Sequence, residues 1–382
     1  MAVVGGGPVG LALAQAARGL SVALVSRTGA PPPAAEGCFD PRVYALSPGN
    51  VEFLRELGAW EAVPPERVTP IHAMEIFGDR GDSTLVFDAY RAGVPALAWT
   101  VEDSVLQRAL WQGLERWPHV RTFVPAEPAR LECRADGASL ELRGGGSIEA
   151  TLVVGADGAR SFVREAAGIT VMEKDYGQTA VVADFATERP HGHVALQWFQ
   201  GGPVLALLPL PGRRVSMIWS LPARRAAEMP ELDADALCRE VERASLGRLG
   251  QLSLLGAPAS YPLHRLLARR SSACRVALVG DAAHVIHPLA GQGLNLGLQD
   301  ARALARVLAE RDSVLDPGDA GLLRRYERRR SEPTMAMAAA VDGLHGLFGA
   351  QGEAAAVLRN AGLNLVTRIP VLKNLLMRHA MS

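Results

Sequence analysis

The 382-residue chain is predicted to be an α/β protein. Its doubly wound, Rossmann-like dinucleotide-binding domain carries an inserted antiparallel β-sheet domain and is followed by a helical C-terminal extension. Three observations predict this. Gly5-Gly6-Gly7-Pro8-Val9-Gly10 stands between an apolar strand-like run and an Ala/Leu-rich helix. Four strand-like runs, VVADF, HVALQWF, VLALLPL and VSMIWSL, follow one another between residues 179 and 221 with Gly201-Gly202 and Gly212 as turn signals. VALVGDAAHVIHPLAGQGLNLG, residues 276–297, reads as a buried strand, an Asp, a Pro/Gly turn and the start of a helix. The nucleotide-type segments flank the antiparallel block, so the two domains are interleaved. The predicted boundaries are 1–70, 98–170 and 272–340 for the dinucleotide domain, 71–97 and 171–271 for the inserted domain, and 341–382 for the extension.

The elements follow from local pattern. Residues 2–4, the glycine loop, the helix 9–18 and the strand 20–25 make a βαβ unit. A Pro-rich loop at 30–35 precedes a helix at 50–57. Short strands are expected over 72–99, with turns at Gly78-Asp79 and Gly81-Asp82. Val105, Leu106, Ala109, Leu110 and Leu114 give helical spacing over 102–115. Residues 120–155 read as a β-meander ending in a buried strand at 152–154. A helix is expected at 234–244 and a strand at 276–279. Leu294, Leu298, Ala301, Ala305 and Leu308 mark one helix face, and residues from 322 onward are mainly helical. Arg324-Arg325-Tyr326-Glu327-Arg328-Arg329-Arg330 reads as a solvated helix face.

Composition narrows the function. A hydrophobic content of 48% with 21% charge is globular, and the zero formal net charge argues against a nucleic-acid binder. Cys38, Cys133, Cys238 and Cys274 form no CxxC pair and read as reduced thiols. The histidines come with no HExxH motif, so no metal site is expected. The chain starts almost directly on a strand without a basic leader, and no apolar run reaches bilayer-spanning length. The expected location is cytoplasmic, with a peripheral place at the inner face of the membrane left open.

Gly5, Gly7 and Gly10 suit a tight turn, close approach of backbone to phosphate, and close helix–strand packing. The helix that follows presents its N-terminus to negative charge. The acidic residue usual after the second strand is absent. Ser26-Arg27 stands there, and Ser26 offers a neutral hydrogen bond instead. Asp281 follows a buried strand, where a carboxylate can accept from a sugar-alcohol chain or serve as an N-cap. Gly291-Gln292-Gly293 opens a helix whose free N–H groups, with those of Leu294 and Asn295, suit negative charge on the redox ring of a tightly held flavin.

GGGPVG, DPRVYALS (40–47), GADGARSFVR (155–164) and GDAAHVIHPLAGQGLNLGLQD (280–300), in that order, resemble the FAD-dependent aromatic hydroxylases related to para-hydroxybenzoate hydroxylase. Within them the chain is most similar to the ubiquinone-biosynthesis hydroxylases that act on polyprenyl phenols. The resemblance covers nearly the whole chain. It implies that Gly5, Gly7 and Gly10 approach the FAD pyrophosphate and that Arg42 reaches the cofactor near the pyrophosphate and the flavin. It implies that Asp157 braces the site and helps receive the nicotinamide, that Asp281 binds the ribityl chain, and that Pro288 to Gly293 border the ring. Ser26 departs from the pattern at the adenosine ribose.

The resemblance implies non-covalent FAD, reduced by a transient NAD(P)H, reacting with dioxygen to a flavin hydroperoxide that hydroxylates the ring. His284 and His287 are the candidate acid–base groups, against a structural role for each. Other readings are a hydroxylase of a small soluble aromatic acid, a flavin-dependent prenyl reductase, and a non-catalytic flavoprotein scaffold. After Pro370, Val371, Leu372, Leu375 and Leu376 share a helix face. That face suits either the protein's own core or contact with a membrane or a quinone-biosynthesis complex.

Overall fold

The computed structural model describes all residues except 34–36, 38, 79–83, 288–290 and 350–382. Cys38, the Gly81-Asp82 turn, Pro288 and the amphipathic face after Pro370 therefore lie outside the described residues.

The dinucleotide half is built on a six-stranded sheet. Its order is Ser272–Ala273, Val276–Leu278, Val153–Gly155, Ala2–Val4, Val22–Val25, Val120–Phe123. All pairings are parallel except the first, which is antiparallel. The strand Val120–Phe123 thus corrects the expected meander: it joins the parallel sheet beside Val22–Val25, and only Pro128–Cys133, Ala138–Leu142 and Ser147–Ala150 form the antiparallel triplet.

The first helix, Pro8–Ala16, is buried nearly all round, with Leu11, Ala12, Leu13 and Ala14 fully enclosed. Each leucine so buried stabilises the fold by about 1.5–3 kcal/mol. The helix packs on Gly293–Ala309, and glycine makes the crossing close. A Cβ on Gly297 would stand 2.6 Å from a Val9 methyl and 3.1 Å from Gly280 Cα. This contact fixes the turn after Val276–Leu278 against the glycine loop.

The second large sheet has eight strands, ordered His284–Val285, Leu252–Ala268, Val171–Thr187, Arg214–Pro222, Val204–Leu210, Val194–Phe199, Ala73–Phe77, Thr84–Asp88. One face carries Val181, Ala183, Phe185, Leu207, Met217 and Trp219 in a single core. The amphipathic helix Ala234–Ala244 covers that face with Leu237, Cys238 and Val241, its start capped by Asp233 accepting from Ala236 N at 2.6 Å. The opposite face looks toward the dinucleotide half. A small antiparallel sheet, Val43–Leu46, Ala98–Glu102, Thr69–Ile71, joins the two: Thr100 Oγ1 donates to Pro209 O at 2.6 Å.

The long helix Ala320–Gly349 closes the described fold. Here the arginine-rich stretch departs from a purely solvated face. Tyr326 is fully buried and donates to Leu278 O at 2.7 Å, and Arg330 is buried against Asp300, whereas Arg325 and Arg329 stay outside on Glu310. No helix among the described residues is long and apolar enough to cross a membrane, and none of their His, Cys, Asp and Glu side chains group as a metal site.

Candidate active site

Ala2–Val4 has neighbours on both sides, Val22–Val25 and Val153–Gly155, so the connections leave in opposite directions and a crevice opens at the strand ends. Four predicted positions sit just past the ends of four adjacent parallel strands: Gly5, Ser26, Asp157 and Asp281.

The glycine loop is sterically dictated. Gly5 has φ +121°, and a Cβ there would lie 2.1 Å from Ala156 O. A Cβ on Gly10 would lie 2.0 Å from Gly5 O. Gly7 differs: nothing stands within 4 Å of its Cβ position. It caps the first helix without a side-chain hydrogen bond, Pro8 follows, and the first turn holds no acid. An uncapped N-terminus beside open space suits an anionic diphosphate.

Ser26 is buried beside Gly6 and donates to Thr28 O at 2.7 Å, so its proton is spent in its own turn and only its lone pairs are left for a sugar. Asp157 accepts from Ser161 Oγ at 2.5 Å and from Val163 N at 3.2 Å, which ties it to the start of the helix Phe162–Ala166. Arg164, on that helix and buried, donates to Ala282 O at 3.1 Å and links the Asp157 loop to the Asp281 turn.

Asp281 is open to solvent yet walled in by protein. The enclosure raises its carboxyl above the usual range, opposed by His284, Arg42 and His264. A carboxylate in a concave, wet crevice is placed to bind hydroxyl groups. Arg42 comes from the other side of the crevice, 3.7 Å from Asp103 and over the Tyr261 ring at 5.4 Å. Gln292 precedes the helix that starts at Gly293, and nothing stands within 4 Å of a Cβ on Gly291 or Gly293. Leu294 is buried in the main core. The Asn295 side chain is turned inward: Oδ1 accepts from Ser47 N and Asn50 Nδ2, each at 2.9 Å, while Nδ2 donates to Ala45 O at 2.8 Å. It latches the Arg42 segment to this helix and leaves its backbone amide for a ligand.

The two candidate histidines are held differently. His284 Nε2 lies 2.6 Å from Asp300 Oδ2, in a buried network in which Asp300 also takes Gly280 N at 3.0 Å and Arg330 Nε at 2.6 Å. Burial alone would lower the His284 pKa, but Asp300 outweighs it and the net shift is upward. His287 Nε2 lies 3.2 Å from Gln178 Oε1, as does His345 Nε2. Burial, with His345 adding and Asp342 opposing, pushes His287 down to about 4. It is neutral at pH 7 and a weak base there. Asp300, Arg330, Arg164, Asp103 and Gln178 were missed by sequence reasoning. Only Asp300 and Arg164 had a signal, as the last residues of two of the motifs.

Gly7 and Asp281 thus follow two parallel strands of one sheet, Arg42 is near enough to Asp281 to oppose the rise in its carboxyl pKa, and the helix from Gly293 packs on Val9 and Gly280. Residues 1–341 match the FAD binding domain family. The chain is 37% identical to the 3-demethoxyubiquinol 3-hydroxylase of Escherichia coli (strain K12), over 100% of this chain and 98% of that protein. It is also 37% identical to the ubiquinone hydroxylase UbiL of Rhodospirillum rubrum, over 99% of this chain and 88% of that one. The fold is that of p-nitrophenol 4-monooxygenase PnpA from Pseudomonas putida DLL-E4, with a TM-score of 0.78 over 100% of this chain and 98% of that one at 19% identity. The chain belongs to the FAD binding domain family.

Proposed function

We propose that the protein is an FAD-dependent monooxygenase that hydroxylates the aromatic ring of a polyprenyl phenol in ubiquinone biosynthesis, with NAD(P)H as transient reductant and dioxygen as oxidant. The observation that carries this reading is end-to-end similarity to a demethoxyubiquinol hydroxylase, on a chain whose crevice fits FAD. In this reading residues 1–70, 98–170 and 272–340 hold the cofactor, residues 71–97 and 171–271 cover the substrate, and residues 341–382 form the extension. Sheet membership supports the division, since Ala73–Phe77 joins the large sheet by a parallel pairing with Val194–Phe199 and Thr84–Asp88 follows it antiparallel.

Bound non-covalently, FAD supplies the oxygen-activating chemistry. The chain's residues do the rest. The amides at the start of the first helix neutralise the diphosphate, with Gly5 and Gly10 shaping the loop and Gly7 leaving it room. Ser26 accepts from the adenosine ribose, and Asp281 accepts from the ribityl hydroxyls. Arg42 adds positive charge between them, and Asp157 braces the loop beside the site. Residues 291–295, with Pro288, border the ring, where the helix start stabilises negative charge. Val182, Ile218 and Ala206 lie opposite one another on three adjacent strands and give that part of the facing sheet an apolar stretch that would keep water from the reacting ring.

The test is turnover of a polyprenyl phenol with NAD(P)H, followed by mass analysis. Gain of one oxygen is the expected result. A saturated prenyl chain, hydroxylation only of small aromatic acids, or no product would replace the reading. Heating should release all the flavin as free FAD.

Asp281→Ala is expected to weaken FAD binding by about 1.5–3 kcal/mol, roughly 10- to 150-fold in Kd, through loss of charge-assisted hydrogen bonds. The apoprotein's melting temperature should not fall, because an enclosed carboxylate is removed. His284→Ala should instead lower the melting temperature and weaken FAD less. Equal FAD dissociation constants for both variants and the parent would refute the ranking.

A lipid-soluble substrate supports a peripheral contact with the membrane or with a biosynthetic complex. Removing residues 364–382 should reduce sedimentation with liposomes while FAD stays bound. Unchanged sedimentation would assign the contact elsewhere.

A further inference from the structure

Where the large sheet meets the small one, four buried polar atoms make no hydrogen bond of ordinary geometry within the protein, Asp184 Oδ1, Ser216 Oγ, Thr69 Oγ1 and Glu102 Oε1, although the Ser216 hydroxyl is near enough to Asp184 to stabilise its carboxylate. Register places them. Asp184, Ser216 and Leu208 lie opposite one another on three adjacent strands. They point away from the face that carries Ala183, Phe185 and Met217. That direction is toward the small sheet, since Thr100 reaches across to Pro209 O. Thr69 is the register partner of Thr100, and Glu102 is two residues beyond it, so both share the Thr100 face. All four side chains are at least nine-tenths buried.

Orphaned buried polar groups are costly, and polar walls of this kind hold ordered water. Backbone amides tie the Glu102 end of the row to the segment that carries Arg42. Glu102 Oε2 accepts from Asp40 N and from Arg67 Nη2, each at 2.7 Å. Asp40 Oδ1 in turn accepts from Arg42 N at 2.9 Å. At the other end, Leu255, the register partner of Asp184 on the outer strand, is exposed.

The reaction needs such a path. An aromatic C–H, dioxygen, NAD(P)H and one proton give the C–OH, NAD(P)+ and one water, so a proton must enter a site built to exclude bulk water. We propose that Asp184, with Ser216, Thr69 and Glu102, holds ordered water between the two sheets and relays protons along it from the Leu255 side toward the Arg42–Asp281 crevice. In each cycle the Asp184 carboxyl gives its proton to the adjacent water, whose own proton moves inward, and recovers one from the outer side. The titration of Asp184 suits the task. Burial raises its pKa to about 6, with Ser216 opposing and Glu102 and Asp40 adding to the rise. Among the described residues Arg67 and Arg214 also carry charge here, both stacked on Phe39.

The relay rests on the monooxygenase reading but has readouts of its own. A high-resolution crystal structure of the full chain should show ordered water bonded to Asp184 Oδ1 and to at least one of the other three atoms. The infrared spectrum of the apoprotein should show a buried carboxyl band that titrates near pH 6 and is absent in Asp184→Asn. With FAD bound, Asp184→Asn should slow hydroxylation about tenfold or more and remove one limb of its pH profile. Asp184→Glu should restore the limb, and Ser216→Ala should slow turnover without removing it. If Asp184→Asn does not fold, the water positions and the infrared band of the parent protein decide the matter. A dry interface, or an unchanged pH profile in Asp184→Asn, overturns the relay and leaves the monooxygenase reading intact. Parent protein that hydroxylates nothing overturns that reading instead.

Discussion

Asp300→Ala is expected to destabilise the protein by about 3–5 kcal/mol, the usual cost of leaving buried charges without their partner. Asp300 is buried and accepts from Arg330, His284 and the Gly280 amide, and Arg330 and His284 are themselves buried. Burial would raise the Asp300 pKa, but His284 and Arg330 outweigh it and hold it below 3.8. His284 is shifted the other way, above 6.5. The signs define a window. The Asp300 contribution is complete above 3.8 and is lost as pH falls through its lower folded value. The His284 contribution is complete below 6.5 and is lost as pH rises through its higher folded value. Urea unfolding of parent and variant should therefore differ most between those limits. Well above the His284 transition the difference should shrink to the Asp300–Arg330 pair. A difference that does not change with pH would mean that His284 is not charged in the fold. FAD affinity should fall as well, because Asp300 anchors the amide of Gly280, the residue before Asp281.

This network marks the limit of what the sequence discloses. The glycine loop, the first helix and the helix Ala234–Ala244 are legible because each is a local pattern: apolar spacing, a turn residue, a cap. The strand Leu252–Ala268 is not, because Gly256, Pro258 and Pro262 interrupt it. The structure tolerates those residues for a topological reason. Through this stretch the strand pairs only with Val171–Thr187, and the short strand His284–Val285 joins it at Leu266 and Leu267. Its outer edge there needs no donor, so a proline costs no ladder hydrogen bond. The polar run Glu173–Asp175 hid the start of its partner in the same way.

In the site, the residues at strand ends were legible and their supports were not. Asp281 follows a recognisable strand, but the side chains that hold its turn are Arg164 and Asp300, the latter held in place by Arg330, all distant in sequence. Asp184 looked like one polar residue in a strand. The buried polar neighbours of its Oδ1, Ser216 on the next strand and Glu102 on the facing sheet, appear only when both sheets are in place.

Two glycine substitutions should separate what the loop does for the fold from what it does for the cofactor. In Gly10→Ala the new Cβ would meet Gly5 O at 2.0 Å, a backbone atom that moves only with the whole loop. Gly5 is itself fixed by the hydrogen bond that its N–H donates to Val25 O at 2.9 Å and by the closeness of Ala156. The strain therefore falls on the first strand, and a loss of about 3 kcal/mol or more is expected, at the upper end for overpacking. Gly10→Ala should melt lower even without FAD and bind it poorly. Gly7→Ala meets no such obstacle. Its φ of −77° and ψ of 176° are open to alanine, and no atom lies within 4 Å of the new methyl. The apoprotein should melt within a degree or two of the parent, since surface changes of this kind stay within about 0.5 kcal/mol. If Gly7 is where the backbone approaches the diphosphate, that methyl takes the space the phosphate oxygens need, and FAD affinity should drop at least tenfold. Calorimetry of the apoproteins and flavin titration of both variants decide the point. A Gly7→Ala protein that binds FAD like the parent would remove the diphosphate from this loop, whatever Gly10→Ala does.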